Sequence, residues 1–423
     1  MPQTATKLAI DGGEPIRTER LPYYRGAALL GEEERQAVLA VLESRSLFRY
    51  DGPQLLGKVA AFERKLAALT GARHCVAIAN GTAALRVGLA ALDVGPGDEV
   101  VVPAVTFIAS VSAVVAQGAV PRFAEVDATF TLDPDRLEEA ITPRTKAIMP
   151  VHLFGLPARM ERIVEIARRR GLVVIEDCAQ ACGATYQGRS VGRFGQVGAF
   201  SYQLTKNITS GEGGALITDD ARLHRRAAQF QDQGGQYTLR AAGAEEVDGE
   251  PMLGENLRMN EIQGALMEVQ LDRLEEIGRG TRAIRDRIVA GIRDLPGIEL
   301  PPSVDAGELP TGIHFFVGDA RLATRVAEAL AAEGLFARKV YGGKPVYANP
   351  ALLVQRTISS TGRPFTDPLY LAKGPPIEYR LGICPRSEEL LARSVAIGVN
   401  AAYSDQDVAD VIAAIRKVVG ALV

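Results

Sequence analysis

Between His74 and Thr218 short apolar runs alternate with stretches of helical spacing, and that alternation leaves the chain few ways to fold. Residues 74–79, 100–103, 120–125, 146–151, 172–176, 197–201 and 214–218 read as buried strands. Residues 80–92, 108–117, 134–141 and 158–170 carry apolar side chains at helical intervals. Strands apolar on both faces and joined through helices require a mostly parallel sheet with helices on both sides, the α/β class. In such a sheet ligands gather beyond the carboxyl ends of the strands. Just past those ends stand Gly81 and Thr82, Thr106 and Phe107, His152, Asp177 and Gln180, then Ser201 and Lys206.

The flanks of this block are less regular. Residues 1–25, with Gly12, Gly13, Pro15 and Pro22, are too broken for regular structure and form an arm that is laid over another surface or disordered. Helices are expected at 31–44, where glutamates fill the first turn, and at 53–70. Residues 254–274 read as a loop entering a long helix. Beyond it come a helix at 284–294, a strand at 312–317, a helix at 320–333 and an amphipathic helix at 404–419. Residues 341–376 are a loop rich in Gly and Pro, lying over the pocket or making a surface excursion. The organisation is then an arm (1–25), a large domain (26–278) and a smaller C-terminal α/β domain (279–423), with the boundary near Gly278.

A chain of 423 residues can bury a large core and a smaller one. The net charge of −3 gives no reason to expect nucleic acid as a partner. Cys75, Cys178, Cys182 and Cys384 show no paired C-x-x-C spacing, which argues against a zinc site or a disulfide framework and for a reducing compartment. No stretch approaches the ~18 consecutive apolar residues of a membrane span, so the expected location is the cytoplasm.

Lys206 stands in a polar, Gly-rich turn between the strands at 197–201 and 214–218. A lysine held there can lose solvation, lower its ammonium pKa and form a Schiff base with a carbonyl. Alone, it reads more readily as a solvated loop lysine. Its company changes the balance. Asp177 ends a strand in EDCAQ, where a buried carboxylate can keep the ring nitrogen of pyridoxal phosphate protonated, although a carboxylate capping the next helix would look the same. Asn80-Gly81-Thr82 opens a helix, and free N–H groups with a positive dipole end suit a phosphate. Gly81, Thr82 and the Ser201 hydroxyl would hold it, Gln180 would donate to the phenolic oxygen, and Phe107 would lie over the ring or pack in the core.

The motifs NGTAAL, VVPAVTFIAS, VHLFG, EDCAQACGA, GAFSYQLTKNITSGEGGALIT and NLRMNEIQGAL resemble, in this order, the DegT/DnrJ/EryC1/StrS sugar aminotransferases of fold type I. The resemblance runs from about residue 30 to 274, with a looser match beyond. It implies a pyridoxal phosphate enzyme with Lys206 as the Schiff-base lysine and Asp177 as partner of the ring nitrogen. Gln180 then contacts the phenolic oxygen, Gly81, Thr82 and Ser201 the phosphate, and Phe107 the ring face. Asn256 would reach the phosphate of a neighbouring subunit, giving a homodimer with shared active sites. His152 would line the substrate pocket unless backbone groups satisfy it, and Tyr341 would face the substrate. The donor implied is glutamate or glutamine. The acceptor is a keto sugar, nucleotide-linked or a free cyclitol ketone, in amino-sugar or antibiotic biosynthesis. The arm KLAIDGGEPIRT is similar to members acting on cyclitols such as scyllo-inosose.

Three rival readings stay open. One branch of the family replaces the lysine with histidine and removes a hydroxyl, and Lys206 speaks against it. Another resembles 3-amino-5-hydroxybenzoate synthase, which eliminates water to aromatise a ring. The third is a sensor that binds the cofactor without turning over. GPGDE at 95–99 reads as a turn before a strand, and Arg168 to Arg170 as a solvated helix end.

Overall fold

The computed structural model describes residues 7–235, 237–238, 251–358 and 360–423. The first six residues of the expected arm and Ser359 of the expected loop lie outside them. The apolar runs become β1 (His74–Ile78), β2 (Glu99–Pro103), β3 (Val120–Ala124), β4 (Thr145–Ile148), β5 (Val173–Asp177), β8 (Val197–Ser201) and β9 (Gly214–Thr218). A two-residue hairpin, β6 (Thr185–Tyr186) with β7 (Arg189–Ser190), sits apart. The seven strands pair in the order β1-β9-β8-β5-β4-β2-β3. Only β9 runs against its neighbours. The carboxyl ends of the other six therefore share one edge.

Alternation along the strands feeds two cores, because successive side chains point to opposite faces. Val76, Ile78 and Leu216 join the face covered by α3 (Gly81–Ala91), whose Leu85 and Leu89 pack there. Cys75, Ala77, Ala215 and Ile217 join the other face with Val59, Phe62 and Leu66 of α2 (Lys58–Thr70). The start of α2 differs from the expected 53–70. Its first N–H groups, on Lys58 and Val59, donate to the Glu261 carboxylate at 2.7 and 3.0 Å, so the cap comes from a distant residue and leaves no local signal. The helix expected at 134–141 is a single 3-10 turn, Leu137–Ala140.

The C-terminal part departs further from expectation. Gly278 lies inside one continuous helix, Leu274–Ile292. Its Leu274 and Ile277 belong to the core under the large sheet, whereas Ile284, Ile288 and Ile292 belong to a second core. That core packs on the sheet β10 (Gly312–Phe316), β12 (Ser394–Gly398) and β11 (Ala337–Arg338), with β12 in the middle. The arm is part of this second unit. Leu8 is buried in its core, the Ala9 and Ile16 N–H groups donate to Glu333, and Arg17 pairs with Asp407 and Asp410.

The loop at 341–376, read as lying over the pocket or as a surface excursion, mostly packs into the core instead. Tyr347, Leu352, Phe365, Tyr370, Tyr379 and Cys384 pack into the core beside the large sheet. The Tyr379 hydroxyl donates to the Pro121 carbonyl on β3 at 2.6 Å, and Tyr370 donates to Glu99 at 3.0 Å. This stretch covers the open edge at β3 and protects it from pairing with another chain. It packs with the large sheet although its sequence position groups it with the C-terminal domain.

Candidate active site

A cavity of about 1040 Å³ opens at the carboxyl edge of the large sheet, between the two units. Gly81, Thr82, Thr106, Phe107, Asp177, Gln180, Ser201, Lys206 and Tyr341, all singled out by sequence, line it. At its floor, α3 presents its N-terminus. Asn80 caps it by accepting from the Ala83 N–H at 2.9 Å, which leaves the Gly81 and Thr82 N–H groups without helical partners. A Cβ on Gly81 would stand 2.6 Å from the Ser201 Cβ and 2.9 Å from its Oγ, so only glycine lets the helix end approach β8 this closely. Among the described residues neither the Thr82 nor the Ser201 hydroxyl is bonded to a protein group. Two free N–H groups at a positive dipole end and two free hydroxyls make a cradle for a phosphate.

Asp177 ends β5 almost fully buried. Its Oδ2 accepts from the Ser110 hydroxyl at 2.7 Å, and Oδ1 accepts from the Ala179 N–H at 3.1 Å. Ser110 is held in turn by the Thr106 hydroxyl at 2.7 Å. Burial raises the Asp177 pKa, while the Ser110 and Ala179 hydrogen bonds and the nearby Lys206 act to lower it. A carboxylate so placed gains from a cationic ligand that restores what desolvation removes.

Lys206 follows a turn closed by its own N–H donating to the Gln203 carbonyl at 2.9 Å. Burial lowers its pKa first; Asp177 opposes that, Arg25 reinforces it and Glu212 opposes it. The result is an amine less basic than a surface lysine, on the same cavity as Asp177.

Over residues 29–373 the sequence matches the model of the DegT/DnrJ/EryC1/StrS aminotransferase family. The chain belongs to that family. It is 38% identical over 370 residues to the L-glutamine:2-deoxy-scyllo-inosose aminotransferase of Streptomyces kanamyceticus, covering 83% of each chain. Among solved structures, DesV of S. venezuelae superposes with a TM-score of 0.76 at 32% identity, over 94% of this chain and 98% of that one. A 3-amino-5-hydroxybenzoic acid synthase superposes at 0.81 with 27% identity, over 96% and 100%. The aminotransferase thus has the type I fold and depends on pyridoxal phosphate, and the residues present fit that cofactor. The α3 cradle suits its phosphate, buried Asp177 its ring nitrogen and Lys206 its aldehyde.

The remaining expected site residues divide. Phe107 is 57% exposed on the cavity wall, so its ring is not core packing and is free to cover a ligand face. Gln180 donates from Nε2 to the Tyr341 hydroxyl at 3.2 Å and accepts the Phe154 N–H at 3.2 Å, which leaves its second amide hydrogen for a ligand. Tyr341 stands at φ 44°, with burial pushing its phenol up to about 12. His152 does not line the cavity. It is completely buried; its Nδ1 accepts from the Ala158 N–H at 3.0 Å, so Nε2 carries the proton and donates to Glu176 at 3.0 Å. The sequence showed its position but not that both nitrogens would find partners. His152, Glu176 and Cys178 lie together, yet Glu176 also accepts from Gly192, Phe194 and Gly195 N–H groups. That carboxylate shapes the 192–195 turn and is no open metal ligand. Asn256 is exposed, bridged to Asp232 and not among the residues that line the cavity of its own chain.

Ser110 and Arg25 are among the residues at the site that escaped sequence reasoning. Ser110 lies in the first turn of the helix Ile108–Ala116 and meets Thr106 of the preceding turn, so no pattern along the sequence marked it. Arg25, in the irregular arm, carried no local signal.

Proposed function

We propose that this aminotransferase moves the amino group of glutamine or glutamate to a keto cyclitol or keto sugar, with Lys206 as the cofactor-bearing lysine. What carries the reading is that the Lys206 amine, of lowered basicity, shares one cavity with buried Asp177 and the free N-terminus of α3. When bound, pyridoxal phosphate supplies a pyridinium that withdraws electrons from the donor's Cα. The chain does the rest. The α3 cradle anchors the phosphate, Phe107 covers the ring, and Asp177 keeps the ring nitrogen cationic. With its amine free, Lys206 would take the proton from the donor's Cα as a general base and return one when the keto acceptor is aminated.

An uncharged cyclitol suits the cavity better than a nucleotide diphosphate. Apart from Lys206, its described cations are Arg25, which is committed to backbone carbonyls, and Arg338. The inosose aminotransferase relative supports the same choice. Asn256, exposed and not lining its own chain's cavity, fits a homodimer in which it reaches the partner's phosphate. Among the described residues no helix is long and apolar enough to cross a membrane, and the four cysteines are free and buried, which fits a cytoplasmic enzyme.

Borohydride reduction of the holoenzyme should fix the cofactor on the peptide containing Lys206, and glutamine should convert unreduced enzyme to its amine form. Label on another lysine, or no spectral response to glutamine, would defeat the proposal. Formation of an aromatic product from an aminoshikimate would favour the benzoate synthase instead.

A further inference from the structure

Arg25, at the end of the arm, sits where three distant segments meet. Its Nε donates to the Val399 carbonyl at 2.9 Å, just after β12. One terminal nitrogen donates to the Thr205 carbonyl at 2.9 Å, directly before Lys206, and the other donates to the Thr311 carbonyl, directly before β10. The next residue seals the contact: the Gly26 N–H donates to the Lys206 carbonyl at 3.1 Å. A Cβ on Gly26 would stand 2.8 Å from the Ile208 Cα, so the arm lies flat against this turn. Upstream, Asn400 donates to the Pro22 carbonyl at 3.1 Å and fixes the approach.

We propose that Arg25 is a positioning residue that fastens the Lys206 turn to the second unit and holds a permanent positive charge against it. A planar fork donates from three separate nitrogens to carbonyls spread around it, a span that the single nitrogen of a lysine does not reach. Burial brings the Arg25 pKa down to about 10, still above neutrality, so the charge persists in the working range. The charged and titratable groups around the pair are Asp177 and Glu212 facing Lys206, and Tyr23, Arg338 and Tyr403 facing Arg25. Arg25 is the cation that opposes a proton on Lys206, and Asp177 and Glu212 are the anions that favour one. Removing the guanidinium leaves the anions unopposed and the turn untied, so Lys206 should become both more basic and less fixed.

The inference rests on Lys206 being the cofactor-bearing lysine, and the test separates the two. In cofactor-free enzyme the rate of Lys206 acylation by an amine-reactive reagent is followed against pH, with the modified peptide mapped by mass. Arg25→Met should move the midpoint upward and cut labelling at about pH 8 by roughly threefold or more. Arg25→Lys should keep the midpoint near that of the parent enzyme but lower kcat by about tenfold, because a single nitrogen cannot span the three separated carbonyls. Arg17→Ala, which loosens the arm at Asp407 and Asp410, should lower the melting temperature and leave the Lys206 profile unchanged. An unshifted Lys206 profile in Arg25→Met overturns the proposal, whatever happens to stability. If Arg25→Met does not fold, Arg25→Lys decides alone, and parental kcat in it overturns the proposal. Cofactor fixed by borohydride on another residue would instead defeat the functional reading.

Discussion

Gly81→Ala puts a single methyl group where the cofactor cradle has no room. The added Cβ would stand 2.6 Å from the Ser201 Cβ, 2.9 Å from its Oγ and 3.3 Å from its Cα. The neighbour is the start of a side chain on a central strand, so relief needs movement of α3 or β8. Overpacking of this kind costs about 1–3 kcal/mol, whereas exchanging glycine for alanine in a helix returns at most about 1 kcal/mol. With the full return set against it, the clash leaves a net loss of up to about 2 kcal/mol of stability. The functional loss should be larger in proportion, because the shifted atoms carry the N–H groups and hydroxyl of the cradle. One hydrogen bond to a charged group contributes about 1.5–3 kcal/mol, so cofactor affinity should fall by roughly tenfold to a hundredfold. Denaturant melts of the cofactor-free enzyme and fluorescence titration with pyridoxal phosphate measure the two effects separately. Adding Ser201→Gly should restore most of the stability but not the affinity, since the hydroxyl is then gone. Parental stability and affinity in Gly81→Ala would refute the reasoning.

Lys206→Ala should abolish turnover and borohydride labelling while noncovalent cofactor binding persists, as read by absorbance and equilibrium dialysis. Ser110→Ala removes the 2.7 Å hydrogen bond that favours the ionised Asp177. It should lower kcat by about tenfold, and Asp177→Asn should lower it further; equal rates for parent and Ser110→Ala would contradict the role given to that contact. His314 is buried with its pKa lowered to about 4 from the ordinary 6.5, and Nε2 donates to the Ala128 carbonyl at 2.9 Å. As pH falls from 6.5 to 4 the unfolded chain takes this proton first, so up to about 3 kcal/mol of stability should drain away across that window and be intact above it. Chemical melts should show a shallower acid slope in His314→Gln, though not a flat one, because His224 is also lowered to about 4.

The sheet and most of its cavity were legible because strands apolar on both faces leave one solution, which brings the residues after each strand to a common edge. Asp177, Lys206 and the Gly81 turn needed nothing but that placement. The reading failed where the deciding partner is remote in sequence. His152 looked available until Ala158 and Glu176 took its two nitrogens, and α2 lost its expected first turn to a cap supplied by Glu261. The pattern assigned no element between 376 and 404, although a helix Pro385–Arg393 and the central strand β12 lie there. The helix Ala221–Gln231 was missed too, despite the Asp220 cap.

One continuous helix of 19 residues, Leu274–Ile292, roots its first turn in one core and its later turns in the other. At 1.5 Å per residue it is a rod of about 28 Å, and a rod transmits torque where a linker would absorb it. Any swing of the C-terminal unit over the cavity must flex this axle or pull on the arm, which is bonded to the Lys206 turn. Cutting the gene near codon 278 should therefore yield two insoluble halves, each with a torn face, and not two working domains.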